Sequence, residues 1–550
     1  MPALVRFLKF AAPLLLIAGA LQAQPRITSI LNGASYIVPP LPGSAIAQGS
    51  IFVVFGENMG PAALTHAGFP LPADLSGTSL RISASGNDVS AFLVYTSAGQ
   101  LSGVLPSNTP VGPAVARVTY NGQQSAPFSF TVARNGPGLF TLNTRGSGPA
   151  VVTTPDYKVI TYTNAAVAGD ALSVWGTGIA PLTGRADNAG AEFFDPPVDV
   201  EVYVGGKRAN VRYRGRAPSL AGVDQIVFDV PADVRGCNVP LAVRVAGAIS
   251  NYSTLAVAGA SRICSDPNGF GESDTSKAIQ NGLSVGTIDL ARSRAKTTTP
   301  AGGTVEARTD IALADFTKYD VDSFVRSKGL SGVSIGFCVV STYGGSSAPA
   351  DPFAAVKLNA GPQLTLTGPN GARPISREAN GSYAATAASA TVIPGSPGGS
   401  STLYLDPGTY TVASPGGPDV GSFNTRITIP QPLTTNLDSI ANVSRGGALN
   451  VTWSGGGGNE FVFISGFSSR TNPTVGATFT CTEKASAGRF QVPAEVLLAM
   501  PPSEVVQGAP LGSLSVISAP FNDATRFTAS GLDLGFVIYT SADVKTLAYQ

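Results

Sequence analysis

The sequence predicts an all-β protein built as tandem β-sandwiches with Pro/Gly-rich turns. Glycine (64) and proline (42) are abundant among 550 residues and charged residues make up only 13 %, a composition suited to short strands and tight turns. Apolar and polar residues alternate at period two over much of the chain. Turn signals punctuate these runs, and no sustained helical pattern separates them. The length exceeds what one core serves, so about three to five domains are expected.

The chain opens with an export signal. Arg6 and Lys9 precede a short apolar run over residues 10–21, and small residues then offer cleavage after Ala20 or Ala23. The run is about twelve residues, short of the roughly 20 needed to span a bilayer, and no later segment is long and apolar enough to do so. The expectation is a mature protein without a transmembrane anchor, secreted or held at the cell surface or in the periplasm. The cysteines agree with an oxidising compartment. Cys237 and Cys264 lie 27 residues apart and Cys338 and Cys481 lie 143 apart. Neither gap has metal-ligand spacing; the preferred reading is two disulfides, Cys237–Cys264 and Cys338–Cys481, and the alternative is four buried free thiols.

Strands follow in order. Residues 51–61 (IFVVFGENMGP) carry five apolar residues in a row, as a strand buried on both sides or one lying in a sandwich core would, and end in a Gly-Pro turn. Residues 78–85 and 89–99 are further short strands. Residues 115–133 form the clearest hairpin, turning at Asn121-Gly122. The same grammar recurs about 120–125 residues later: 169–182 echo 49–64, 198–231 echo 78–105, and 239–258 echo 111–133. Two related modules are expected at 24–138 and 139–264 after a signal peptide at 1–23. A β-rich domain at 265–435 and another at 436–550, which can form one unit, complete the chain.

In that remainder, 265–282 reads as a polar linker. Residues 311–329 leave open one turn of helix or an edge strand around Val321, Phe324 and Val325. Residues 333–343 are a core strand carrying Cys338, and 401–417 are a hairpin turning at Asp-Pro-Gly. Residues 488–500 read as a strand, with 497–502 (LLAMPP) buried. Four glycines at 455–458 suit a flexible hairpin tip and lack the GxxxxGK[ST] phosphate-binding pattern.

Several segments identify a family. ILNGASY (30–36), PGSAIAQGS (42–50), FVVFGENMGP (52–61), residues 100–106 and NGPGLF (135–140) resemble exported acidobacterial proteins with a repeated domain of unknown function, first noted in Solibacter. GDALSVWGTGIAPL, the 202–234 segment and GAISNYSTLAV supply the other half. The resemblance covers about 28–260 and implies immunoglobulin-like sandwiches of the plexin/transcription-factor type, without an assigned activity. The C-terminal half resembles an extension carried by a subset of these proteins.

Little in the chain suits catalysis. The formal net charge of +1, without a basic run, argues against nucleic acid. The single histidine, His66, sits in a loop after the first core strand, and no nucleophile elbow accompanies it. Asp170, Glu192, Asp195, Asp199 and Glu201 are the carboxylates available to a glycan-acting hydrolase, and Asp199 and Glu201 share a strand face. The acids at 265–282, and Asp406 and Asp419, lack calcium-loop spacing. No cofactor and no metal are implied.

A non-enzymatic structural or adhesive role is the primary expectation, with carbohydrate binding as the alternative. Candidate partners are a glycan, an envelope protein or a second copy of the chain. Tyr203, Tyr410 and Phe467 are available aromatics, and the candidate binding surface is Tyr213, Arg214, Arg216, Trp175, Tyr404 and Trp453. Arg212, Arg214 and Arg216 alternate and are expected on one strand face, either as an anion site or as a solvated edge that blocks strand pairing. Trp175 and Trp453 each end a strand near glycine, where a platform and a core plug are both open. The loop tips at 58–61, 66–70, 176–181 and 215–222 are where such folds carry function.

Overall fold

The computed structural model describes residues 24–190, 192–265, 271–298, 304–320, 336–344, 355–392, 403–456, 460–520 and 526–550. The export segment, Val321, Phe324, Val325 and part of the glycine tip at 455–458 lie outside the described residues. Strand makes up about 53 % and helix about 5 %, so the protein is all-β.

The first sandwich pairs two sheets. One has the strand order Arg26–Asn32, Ile51–Glu57, Gln100–Val104, Phe92–Thr96 and Thr65–His66; the other runs Ile46–Ala47, Phe128–Ala133, Gly112–Tyr120, Thr78–Ala84 and Asp74–Leu75. The apolar run at 51–55 has two burial faces. Phe52 and Val54 enter the core with Leu80, Ile82 and Val118. Ile51 packs the opposite way, against Leu71 and Val104 of its own module and Ala221 of the next sandwich.

The second sandwich has one sheet of Gly138–Leu139, Ala171–Thr177, Asp224–Asp229 and Val211–Arg216, with Val152–Thr153 paired to Ala171–Thr177. The facing sheet contains Lys207–Ala209, Val200–Val204, Gly236–Val245 and Ala248–Ile249, with Ser253–Val257 on Gly236–Val245. Leu172, Val174, Ile226 and Phe228 meet Val202, Leu241 and Val243 between them. A local geometry repeats between the sandwiches. Ser125 Oγ accepts from the Val118 amide and donates to the Ala126 carbonyl. Ser250 Oγ does the same with Val243 and Asn251. The hairpins between them turn through left-handed Asn121-Gly122 and Ala246-Gly247.

The C-terminal half is organised around one sheet with the order Phe337–Gly344, Thr474–Lys484, Glu460–Thr471, Gly512–Pro520, Leu534–Thr546, Leu283–Thr298, Thr304–Tyr319, Tyr383–Val392, Gly371–Arg377, Gln363–Gly368, Gly408–Ser414 and Phe423–Ile429. Its central join is parallel: Leu283–Thr298 lies beside Leu534–Thr546, with Ile288 opposite Val537. A small sheet of Thr434–Thr435, Leu449–Ser454 and Arg489–Val492 contributes Val451, Trp453 and Val492 to the core shared with Val462, Ile464 and Phe479.

Both expected disulfides are present. Cys237 joins Cys264, and Cys338 joins its cross-strand neighbour Cys481.

Two segments differ from the sequence expectation. The polar stretch before residue 282 contains a helix, Glu272–Asn281, rather than an unstructured linker. Asp274 accepts from the Gly271 amide at its start, and Thr275 and Ala278 supply a narrow buried face. With only these small residues buried, the segment shows no apolar stripe. Likewise, the expected strand at 488–500 ends at Val492, because Pro493 precedes a short helix, Ala494–Leu498, that buries Val496 and Leu497.

Asp289, on the central strand Leu283–Thr298, is only partly exposed and accepts from Thr540 Oγ1 at 2.9 Å. Burial pushes its carboxyl from 3.8 up to about 6, against the pull of that hydroxyl. A raised acid has a definite sign: the folded state holds the proton longer, so stability falls as pH rises from about 4 through about 6. Asp289→Asn should therefore stabilise the protein above pH 6 by about 2–3 kcal/mol and leave stability unchanged below about pH 4. Urea unfolding at the two pH values reads this difference; equal midpoints at both would contradict it.

Candidate functional site

Two arrangements emerge around the second sandwich, one at its junction with the first and one on its outward face. The junction is organised by Arg216, which is 1 % exposed. Its Nη1 donates to Asp224 Oδ1 at 2.8 Å. Its Nη2 donates to the carbonyls of Gly49 (2.6 Å) in the first sandwich and Ala180 (3.2 Å) in the second. The other oxygen of Asp224 accepts from the Ile179 amide at 2.8 Å. Burial pushes the Asp224 carboxyl up, while Arg216 and the amides of Ile179 and Gly178 oppose the shift.

Around this pair the modules exchange further hydrogen bonds. Asp187 accepts from both the amide and hydroxyl of Ser107, each at 2.7 Å. Thr177 Oγ1 accepts from the Ile51 amide and donates to the Gly222 carbonyl. Leu71 N donates to Asn188 O, and Leu182 N to Ser107 Oγ. Two glycines are required here. A Cβ on Gly49, at φ +70, would stand 2.3 Å from Arg216 Nη2; one on Gly222, at φ +69, would stand 2.7 Å from Ile51 Cγ1.

Arg212, Arg214 and Arg216 do not form the common solvated face that alternation predicts. A register shift between Val211 and Tyr213 interrupts the alternation. Each arginine has its own acid: Arg212 meets Asp229, Arg214 meets Asp195 and Arg216 meets Asp224. Arg214 also donates to the Val198 carbonyl.

The outward face of the same sheet carries aromatic residues. Leu172 and Val174 point into the core, so Ser173 and Trp175 face outward. Trp175 lies opposite Gln225, and Ser173 opposite Val227, which is in turn opposite Tyr213. Trp175 Nε1 donates to Thr153 Oγ1 at 3.0 Å, fixing the indole. Tyr157, 72 % exposed, stands beside Trp175 with ring centroids 6.3 Å apart and planes 32° apart. A tight turn positions it: the Tyr157 amide donates to Thr154 O, and Thr154 N to Lys158 O. Phe193, also 72 % exposed, meets Tyr213 edge-on at 5.4 Å. The Tyr213 hydroxyl donates to the Arg216 carbonyl at 2.6 Å. Gln225 Nε2 donates to Ser173 Oγ at 2.9 Å between the two aromatic pairs.

Other sequence candidates are dispersed. Tyr404 is buried, donating its hydroxyl to Gly371 O, with Arg373 over its ring at 4.9 Å. Trp453 is a core plug whose Nε1 donates to Ala485 O. Neither is available as a surface platform. His66 is exposed, with Tyr95 edge-on to its ring. Glu201 is buried and ion-paired with Arg208 and Arg244, and the Arg244 hydrogen bond holds its carboxyl below the ordinary value. Asp199 is exposed, and Asp170 pairs with Arg262. Among the described residues no group of three or more His, Cys, Asp or Glu is arranged to hold a metal, and no helix is long and apolar enough to cross a membrane. Sequence reasoning missed Tyr157 and Phe193, which lie in turn-rich text without periodicity; an aromatic flanked by turn residues was their only signal.

No family model matches the chain, and no curated protein matches it. Among solved structures it is similar to a plexin extracellular region, at 14 % identity over 44 % of this chain and 19 % of that chain, with a TM-score of 0.16. It is also similar to a titin fragment, at 11 % identity over 71 % and 92 % of the two chains, with a TM-score of 0.12. A third is the SGBP-B protein of the Bacteroides ovatus mixed-linkage glucan utilization locus, solved with a mixed-linkage heptasaccharide, at 9 % identity over 86 % and 93 % with a TM-score of 0.14. The chain spans between a fifth and a third of the plexin chains. Nothing about function follows from similarity at this level.

Arg216→Met should destabilise the protein by about 3–5 kcal/mol, because it strands a buried carboxylate. Arg216→Met combined with Asp224→Leu should recover part of the loss. Urea midpoints of the three proteins test this; a single variant as stable as the parent would contradict the assigned role.

Proposed function

We propose that this protein is a non-enzymatic exported or cell-surface scaffold that presents rigidly joined sandwiches to a glycan or envelope-protein partner, or to a second copy of itself. The observation that carries this reading is the disposition of the reactive side chains. Asp170, Glu201, Asp224 and Asp229 are engaged in ion pairs, and the single histidine is exposed with an aromatic ring edge-on to it. No opposed pair of carboxylates is organised by them. Export is supported by the n-region and apolar run at the N-terminus and by two disulfides of the kind an oxidising compartment maintains. The sequence motifs support membership of the acidobacterial family named above. The repeated Ser125 and Ser250 geometry supports duplication of a module at 24–138 to give one at 139–264. The sheet that unites strands from both parts of the C-terminal half supports 265–435 and 436–550 as one unit.

Carbohydrate binding is the second reading, favoured by the outward aromatics Tyr157, Trp175, Tyr213 and Phe193. These readings part experimentally. Mature protein should bind envelope fragments saturably, with competition by unlabelled protein and without turnover. Self-association in sedimentation, with no other binding, would select the structural role. Hydrolysis of a polysaccharide that is lost on substituting a single acid would overturn the non-enzymatic reading.

A further inference from the structure

We propose that the outward face of the second sandwich is a stacking platform for a neutral glycan of equatorially linked hexopyranoses. This rests on the carbohydrate-binding reading and assigns it a place. Trp175 and Tyr213 belong to the same sheet face, two strands apart across Asp224–Asp229. Tyr213 is level with Ser173 rather than Trp175, so two strand spacings and a two-residue offset put their backbone positions about 12 Å apart on the diagonal, the span of two to three linked hexopyranose rings. Tyr157 and Phe193 add highly exposed rings at the two ends. Sugar rings offer apolar C–H faces and hydroxyl edges, so they call for aromatic faces interspersed with hydrogen-bonding groups. Gln225 supplies a half-buried amide between the aromatic pairs, held in place by the buried Ser173 hydroxyl.

Charge narrows the ligand. The flanking ions are already paired: Lys158 with Asp156, Arg212 with Asp229, and Arg214 with Asp195. The strip between them, Ser173, Trp175, Gln225, Val227 and Tyr213, carries no formal charge. Among the described residues Lys158, Arg212 and Arg214, an acidic polysaccharide would find each cation already paired, whereas a neutral one loses nothing. Flatness narrows it further. 1,4-Diequatorial linkages keep successive rings in a ribbon that lies along a sheet, while axial linkages coil the chain away from it. The indole is held by Thr153 and the Tyr157 turn by Thr154, so stacking needs little further ordering of either ring.

The chain has only two tryptophans, and Trp453 is buried, so acrylamide quenching reads chiefly Trp175. Cellohexaose or chitohexaose should protect the quenchable tryptophan saturably. Tyr157→Ala should weaken binding about tenfold, the usual loss on truncating an aromatic anchor, at unchanged melting temperature. Trp175→Ala and Tyr213→Ala, followed by retention on insoluble cellulose or chitin, should give the same result. If the parent protein binds one of these glycans and all three variants bind equally well, the platform is wrong and the carbohydrate reading stands. If the parent binds no member of a polysaccharide panel, the carbohydrate reading falls and the platform with it. Preference for an acidic polysaccharide such as alginate would overturn the neutral-ligand assignment.

Discussion

The Arg216 guanidinium, buried where the first two sandwiches meet, is the interaction on which their arrangement depends. A cation withdrawn from water is costly and must be matched by charge and by directed acceptors. Asp224 supplies the charge; the carbonyls of Gly49 and Ala180 supply acceptors from both modules. Such a constellation tolerates little displacement, because moving one module strands several buried polar groups together. Its surroundings obey the same constraint. Gly49 and Gly222 lack a Cβ where one would collide with the partner module, and Ile51 turns from its own core to meet Leu71 and Ala221.

Docking continues along the chain. Tyr162, Cys237 and Cys264 of the second sandwich share a core with Leu283, Val285 and Leu534 of the C-terminal half. Ala242 and Tyr252 pack into the cluster that contains the Cys338–Cys481 bridge. Ile37 and Leu41 of the first sandwich reach Val475. Three separate apolar contacts therefore join the C-terminal half to the sandwiches. A surface held this way presents its features at fixed spacing.

Much of the architecture was legible because local signals agreed with the global fold. The apolar run at 51–55, the Asn121-Gly122 turn and the echo of both in the second module each have one structural solution. Long-range pairings were less accessible. Nothing local distinguishes Leu283–Thr298, bound in parallel to Leu534–Thr546 about 250 residues away, from an ordinary antiparallel strand. The site was legible in part. Trp175 and Tyr213 were identifiable as aromatics on strands, but Trp453 next to glycine looks the same and is a core plug. Arg216 was misplaced because one register shift after Val211 reassigns the face of every residue beyond it.

Native-state hydrogen exchange of the junction amides tests the claim of rigid docking most directly. The amides of Ile51, Leu71, Ser107 and Leu182 donate across the interface, and the amide of Ile179 donates to the Asp224 that holds Arg216. If the modules form one cooperative body, these amides should exchange as slowly as the core strand amides of Val53 and Val174, through the same global unfolding. Exchange of the junction amides through a low-energy opening, while Val53 and Val174 stay protected, would show modules that separate in the native state and would contradict the account.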